Sequence, residues 1–267
     1  MMDGSFSGFD RMFSEFAGTF ALVFSGGAAG LSAGALFGQP VAGIAAGLAY
    51  FAMALAFYRE SGAQFNPAVT FALFFSKRIG AGDAVAYSVS QLLGSILAAL
   101  LLFAAFPQMA LSGMAAPQAA AAVPWNSAVL LEAALTFLLV VAYLAMRHSR
   151  RPAMETACAV SAVMFAAALA IGPSTGAALN PARSFGPSLV GGSWNSQSAY
   201  WFGPLIGALA AAVFFDGVLR NRRGHGLVAA PQGTGFFFIF FNDEYSRFSG
   251  GLILIWKKKV SAAVAQS

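Results

Sequence analysis

A chain of 267 residues that is 58% hydrophobic and only 9% charged falls far below the roughly 25% charge of a soluble domain, which excludes an ordinary water-soluble globule and indicates an all-α membrane protein. Its net charge of +5 is sorted by membrane side, as shown below, so no nucleic-acid partner is needed to explain it. The single cysteine, Cys158, excludes an intrachain disulfide, and His148 and His225 both stand among basic residues, so neither a metal nor any other cofactor is expected.

In chain order, residues 1–10 read as a short N-terminal segment. Apolar runs of about 20 residues, the length that crosses a bilayer, follow at 12–31 and 40–58. Gly26, Gly30, Gly34 and Gly43, Gly47 recur at the four-residue spacing that lets helix backbones approach closely in lipid. The first run starts too late, and has too many successors, for a cleaved signal peptide. The stretch GAQFNPAVT at 62–70 then interrupts the pattern before a third run at 83–106. Residues 107–125, alanine-rich with Pro107, Pro117 and Pro124, read as an uncharged linker. Runs at 126–146 and 153–171 come next, then GAALNPARSFGP at 176–187, and a sixth run at 200–219.

Within these runs, Cys158 reads as a small packing residue, and Asp216 is expected to snorkel or to pair with a basic neighbour. The tail, 223–267, holds FFFIFF and LILIWKKK separated by charges. Both are too short for a seventh span, which leaves an interfacial anchor or an unrelated terminus, and no function is assigned to it.

Charge sets the orientation. Arg11, Arg59, Lys77, Arg78, Arg147, Arg150, Arg151, Arg220, Arg222 and Arg223 all fall on one side of this topology, whereas 32–39 and 107–125 hold no lysine or arginine. The positive-inside rule puts both termini in the cytoplasm, and a plasma (inner) membrane is the expected location. Arg183 is the lone basic residue on the other side.

The chain also repeats itself. Gly-Ala-x-x-Asn-Pro-Ala occurs at 62–68 and 176–182, with Asn66 and Asn180 separated by 114 residues (180 minus 66), and Glu15 and Glu132 each open a Glu-x-x-x-Thr-Phe segment. One repeated unit over 11–222 therefore divides into halves 11–106 and 126–222. Each half has three spans, an odd number, so the second enters the membrane inverted, which places a binding or conduction site near the midplane between the halves.

Asparagine is a preferred N-cap and proline fits the first helical position. Asn66, Pro67 and Ala68, and likewise Asn180, Pro181 and Ala182, predict short helices at 67–75 and 181–190, too short to cross. Irregular backbone at membrane depth is tolerated where it is buried in protein or lines water, so two re-entrant half-helices bordering a pore are expected. Their N-termini would each bring a partial positive charge to the centre. The asparagine amides would donate to a passing solute oxygen, while cations and protons meet a barrier.

SGAQFNPAVT, STGAALNPARSFGP, the two Glu-x-x-x-Thr-Phe helices and Gln91 resemble the aquaporin (major intrinsic protein) family across about 11–222. The resemblance implies a right-handed bundle of six helices plus two half-helices, assembled as a homotetramer in membrane lipid. It implies that Glu15 and Glu132 accept hydrogen bonds from the re-entrant loops, and that Arg183 belongs to a four-residue constriction. Counting from the asparagines places its other members at Ala46, Ala168 and Ala177. Water-selective members generally carry a bulky aromatic and a histidine at the first two, so three alanines imply a wide aperture passing water and small uncharged solutes such as glycerol, urea or metalloid acids. Ser184 and Tyr200-Trp201 resemble the water-selective type instead. Gln64 stands where a histidine is usual, removing a titratable group.

Two readings of other classes compete with this one. A proton-coupled carrier would use Glu15 and Glu132 as a relay, and a junctional membrane protein would conduct little. An enzyme is not expected, because the sequence offers no nucleophile–base pair, phosphate-cradling loop or metal-ligand cluster.

Overall fold

Eight α-helices make up the described residues, 6–38, 40–107 and 116–220, of the computed structural model. They are α1 Gly8–Phe37, α2 Pro40–Ser61, α3 Pro67–Phe75, α4 Ala81–Ala105, α5 Trp125–His148, α6 Ala153–Thr175, α7 Pro181–Gly191 and α8 Gln197–Phe214, the last continued by a π-helical turn, Phe215–Arg220. The chain divides into two units, Met1–Gly224 and His225–Ser267, and all described residues belong to the first. The readings made for residues 1–5 and for the tail at 223–267 lie outside the described residues.

Six of the helices, α1, α2, α4, α5, α6 and α8, are long and apolar enough to cross a bilayer. Only 28% to 44% of each apolar window is buried inside the protein, so much of their apolar surface is left for lipid. The first helix begins earlier than the apolar run because Ser7 and Asp10 close a capping box ahead of it. The short helices α3 and α7 start where Asn-Pro dictates, at Pro67 and Pro181.

The inverted repeat is visible in the packing. In the first half α1 lies against α2 and α4; in the second, α5 lies against α6 and α8. Each short helix packs on the last span of the opposite half, α3 on α8 and α7 on α4, while α2 and α6 meet across the centre. Close approach depends on small residues at matched places. A Cβ on Gly94 would run into the Phe16 carbonyl on α1, and one on Gly207 into the Ala133 carbonyl on α5. No hydrophobic drive separates helix from lipid, so such contact supplies the packing energy.

In the π-helical turn that continues α8, Asp216 pairs with Arg78 at 2.7 Å, and the Arg78 guanidinium also lies over the Phe215 ring. Of the two outcomes expected for Asp216, pairing is the one observed.

Candidate functional site: the paired Asn-Pro turns

Both turns are built from the same backbone conformations. Gly62, Ala63 and Phe65 have φ of 91°, 52° and 49°; Gly176, Ala177 and Leu179, each 114 residues later, have 77°, 48° and 50°. A left-handed residue other than glycine costs about 1–2 kcal/mol, and such strain persists only where the surroundings enforce it. Here a buried glutamate does so.

Glu15, with no exposed surface, accepts from the backbone N–H of Gln64 at 2.9 Å and of Phe65 at 2.6 Å, from Ser61 Oγ at 2.6 Å and from Gln91 Nε2 at 2.7 Å. Glu132, equally buried, accepts from the N–H of Ala178 at 3.0 Å and of Leu179 at 2.7 Å, and from Thr175 Oγ1 at 2.6 Å. Within each turn the hydroxyl also accepts from the N–H two residues on, Ser61 from Ala63 and Thr175 from Ala177. An intramembrane carboxylate needs partners, and these two find them in the loops they shape.

The turns deliver the asparagines to one another. Asn66 Oδ1 caps α3 by accepting from Ala68 N–H at 2.8 Å, and Asn180 Oδ1 caps α7 from Ala182 N–H at 2.9 Å. With each oxygen facing its own helix, each amide nitrogen faces the other loop: Asn66 Nδ2 donates to the Leu179 carbonyl at 2.9 Å, and Asn180 Nδ2 to the Phe65 carbonyl at 2.8 Å. A primary amide has two N–H groups, so one remains on each residue after the crossing bond. Both asparagines line one small cavity whose wall is otherwise largely apolar, including Leu22, Val69, Leu139 and Val160.

The turn carbonyls are taken up on both sides. Tyr50 and Tyr143 donate to those of Ala63 and Gly62, and Tyr200 donates to that of Thr175. Arg183, 6% exposed, donates through Nη1 to the carbonyls of Gly176 and Ala177. Gln64 is fixed as well, accepting from Thr70 Oγ1 at 2.7 Å and donating to the Ser61 carbonyl.

The structure thus brings together Asn66, Pro67, Ala68, Asn180, Pro181, Ala182, Glu15, Glu132, Ala177 and Arg183. Ala168 joins them beside Gly43, which lies near Arg183. Ala46 is buried on α2, its methyl 3.1 Å from where a Cβ on Gly26 of α1 would stand, and Gly43, three residues earlier, is the glycine beside Ala168 and Arg183. Ser61 and Thr175 were not singled out, although a hydroxyl residue precedes the repeated Gly-Ala in both copies. Tyr50 and Tyr143 carried no motif at all.

A family model of major intrinsic proteins matches residues 4–215. The chain is 40% identical to "Aquaporin TIP4-4" of Zea mays over 217 residues, 78% of this chain and 85% of that one. It is 35% identical to "Aquaporin A" of Dictyostelium discoideum over 224 residues, 80% of each. Among solved structures, the aquaglyceroporin from Plasmodium falciparum matches with a TM-score of 0.73 over 82% of this chain and 100% of that one, at 21% identity, a likeness of fold.

Proposed function

The chain belongs to the major intrinsic protein family, and we propose that it is a passive channel for water and small uncharged solutes that excludes ions and protons. The observation that carries this reading is the pair of amides: two helix-capping asparagines cross-bonded at 2.9 and 2.8 Å, each lining one cavity. A solute oxygen reaching the centre finds donors and little to accept from it. A water held there by both amides points its own hydrogens away, breaking the chain that proton hopping needs. The helix N-termini behind Asn66 and Asn180 add positive potential, and the Arg183 guanidinium adds a full charge.

Small residues around Arg183, with Ala168 and Ala177 among them, favour a broad aperture and so solutes of the size of glycerol, urea or boric acid. A strictly water-selective channel is the second reading, favoured by Ser184, whose hydroxyl donates to the Pro181 carbonyl and accepts from Gln197 at 3.1 Å. We further propose a homotetramer in a plasma membrane with both termini cytoplasmic. The four donors on Glu15 and three on Glu132 favour loop-holding over a proton relay. Swelling of reconstituted vesicles in isosmotic glycerol, urea and boric acid decides between the two apertures. Solute entry above protein-free vesicles supports the wide one, water flux alone the narrow one. Entry that stops on collapsing a pH gradient would instead make the protein a carrier.

A further inference from the structure

The turn at Gly62 repeats the turn at Gly176 in backbone conformation, and each of these glycines lies against an arginine. At Gly176 the arginine belongs to the short helix that the turn feeds: Arg183 donates to the Gly176 carbonyl. The first copy has Val69 at the equivalent place, 114 residues before Arg183 (183 minus 69). There the cation comes from α5 instead. Arg147 Nη1 lies 2.5 Å from where a Cβ on Gly62 would stand, and Tyr143 Oη lies 3.0 Å from the same point. Any side chain at position 62 would push the guanidinium away, so the turn needs glycine there for the arginine as well as for its φ of 91°.

The other basic residues at this end of α5 behave as residues beyond a span should. Arg150 is exposed, and Arg151 pairs with Glu155 at 3.4 Å. Arg147 is half-buried, makes no ion pair among the described residues, and is turned inward. Leu139, Tyr143 and Arg147 follow one another at four-residue steps, which puts them on one face of the helix. Leu139 and Tyr143 line the cavity that Asn66 and Asn180 share. Tyr143 donates to the Gly62 carbonyl at 2.8 Å, and Arg147 Nη1 lies 3.5 Å from the tyrosine oxygen. The guanidinium therefore stands one helical turn beyond the cavity wall. Glu132, which shapes the turn that Arg183 holds, is 15 residues back along α5 (147 minus 132), about 22 Å of helix. The two arginines thus attend opposite ends of the asparagine pair.

We infer that Arg147 is a second cation barrier, lent by α5 to the turn whose own helix carries Val69 in place of an arginine. A cation approaching from that end meets a charge with no carboxylate beside it before it reaches Asn66, whereas water and neutral solutes do not. Gly62 and Tyr143 act as its seat. The inference rests on the channel reading.

Barriers in series hide one another, so the test is made with the Arg183 barrier removed. Arg183→Ala is compared with the double variants Arg183→Ala, Arg147→Gln and Arg183→Ala, Arg147→Lys. Each is reconstituted in vesicles holding a pH-sensitive dye, and proton leak is divided by the water rate of the same vesicles. Elution as a single species in detergent before reconstitution reports folding. The glutamine variant is expected to leak at least about threefold more per unit of water rate than Arg183→Ala alone. The lysine variant, which keeps the charge, should match Arg183→Ala. An equal ratio in the glutamine variant and Arg183→Ala overturns the inference. So does an equal rise in the lysine and glutamine variants, which would trace the leak to lost packing on Gly62 and not to lost charge. Water moving at the protein-free rate in the unsubstituted protein overturns the channel reading and this inference with it. A glutamine variant that fails to fold is replaced by Arg147→Met in the same background, judged by the same outcomes.

Discussion

Asn66 and Asn180 hold each other's loops in place: the amide of each donates to the carbonyl just before the other, to Leu179 at 2.9 Å and to Phe65 at 2.8 Å. The residues that face the cavity thus also pin the two halves of the chain together, and site and fold cannot be perturbed independently.

Replacing either asparagine by alanine removes a cap, about 1 kcal/mol, and strands a buried carbonyl, about 1–3 kcal/mol. Thermal unfolding in detergent should therefore show each single variant less stable by about 2–4 kcal/mol. The Asn66→Ala, Asn180→Ala double variant should lose less than the sum, because both bonds cross one junction and contacting sites are not additive. Strict additivity would mean that the two loops do not share that junction.

Glu15→Gln and Glu132→Gln each replace an accepting oxygen by a donating NH₂ facing backbone N–H groups. Losses of about 2 kcal/mol or more are expected, the range for hydrogen bonds to charged groups. The Glu15 variant should suffer more, since four donors converge on it against three on Glu132. Flux per folded molecule should survive in both. A relay would instead lose all transport while keeping its stability, which the same two measurements separate.

Gln64 lines the cavity and accepts from Thr70. A histidine there titrates near pH 6.5; once protonated it can no longer accept, and it adds a cation to the path. Gln64→His should therefore conduct water less below about pH 6.5, whereas the unsubstituted channel should hold a level rate from pH 5.5 to 7.5. Stopped-flow shrinkage across that range checks both.

Gly176 and Gly192 share left-handed φ values of 77° and 69°, but a Cβ at 176 would lie 2.9 Å from Pro117 whereas one at 192 meets open space. Alanine at 192 should cost only the conformational penalty of about 1–2 kcal/mol. Alanine at 176 should cost clearly more, by displacing the linker that packs over the Arg183 loop. Equal melting shifts would show that Pro117 does not rest there.

Much of this arrangement can be read before any coordinates. Hydropathy marks the six spans because lipid demands length and apolarity of each in turn. Asn-Pro marks both short helices because a cap and a missing N–H act locally, and α3 begins and ends where expected while α7 runs one residue longer. What local chemistry does not encode is direction. That Gly43 on α2 lies against Ala168 on α6 follows from how the two helices cross and is written in no local motif. The tyrosines that occupy the Gly62 and Ala63 carbonyls come from α5 and α2, and only the tertiary fold brings Tyr143 to a turn 81 residues away.

Water and proton movement measured together on one preparation test the central claim, a continuous path that asparagine amides and Arg183 close to charge. Vesicles holding the reconstituted protein and a pH-sensitive dye are shrunk by an osmotic step. Shrinkage at least tenfold faster than in protein-free vesicles is expected, with no added proton leak, and with a leak appearing in Arg183→Ala. Shrinkage at the protein-free rate, or protons passing alongside water in the unsubstituted protein, would contradict the account.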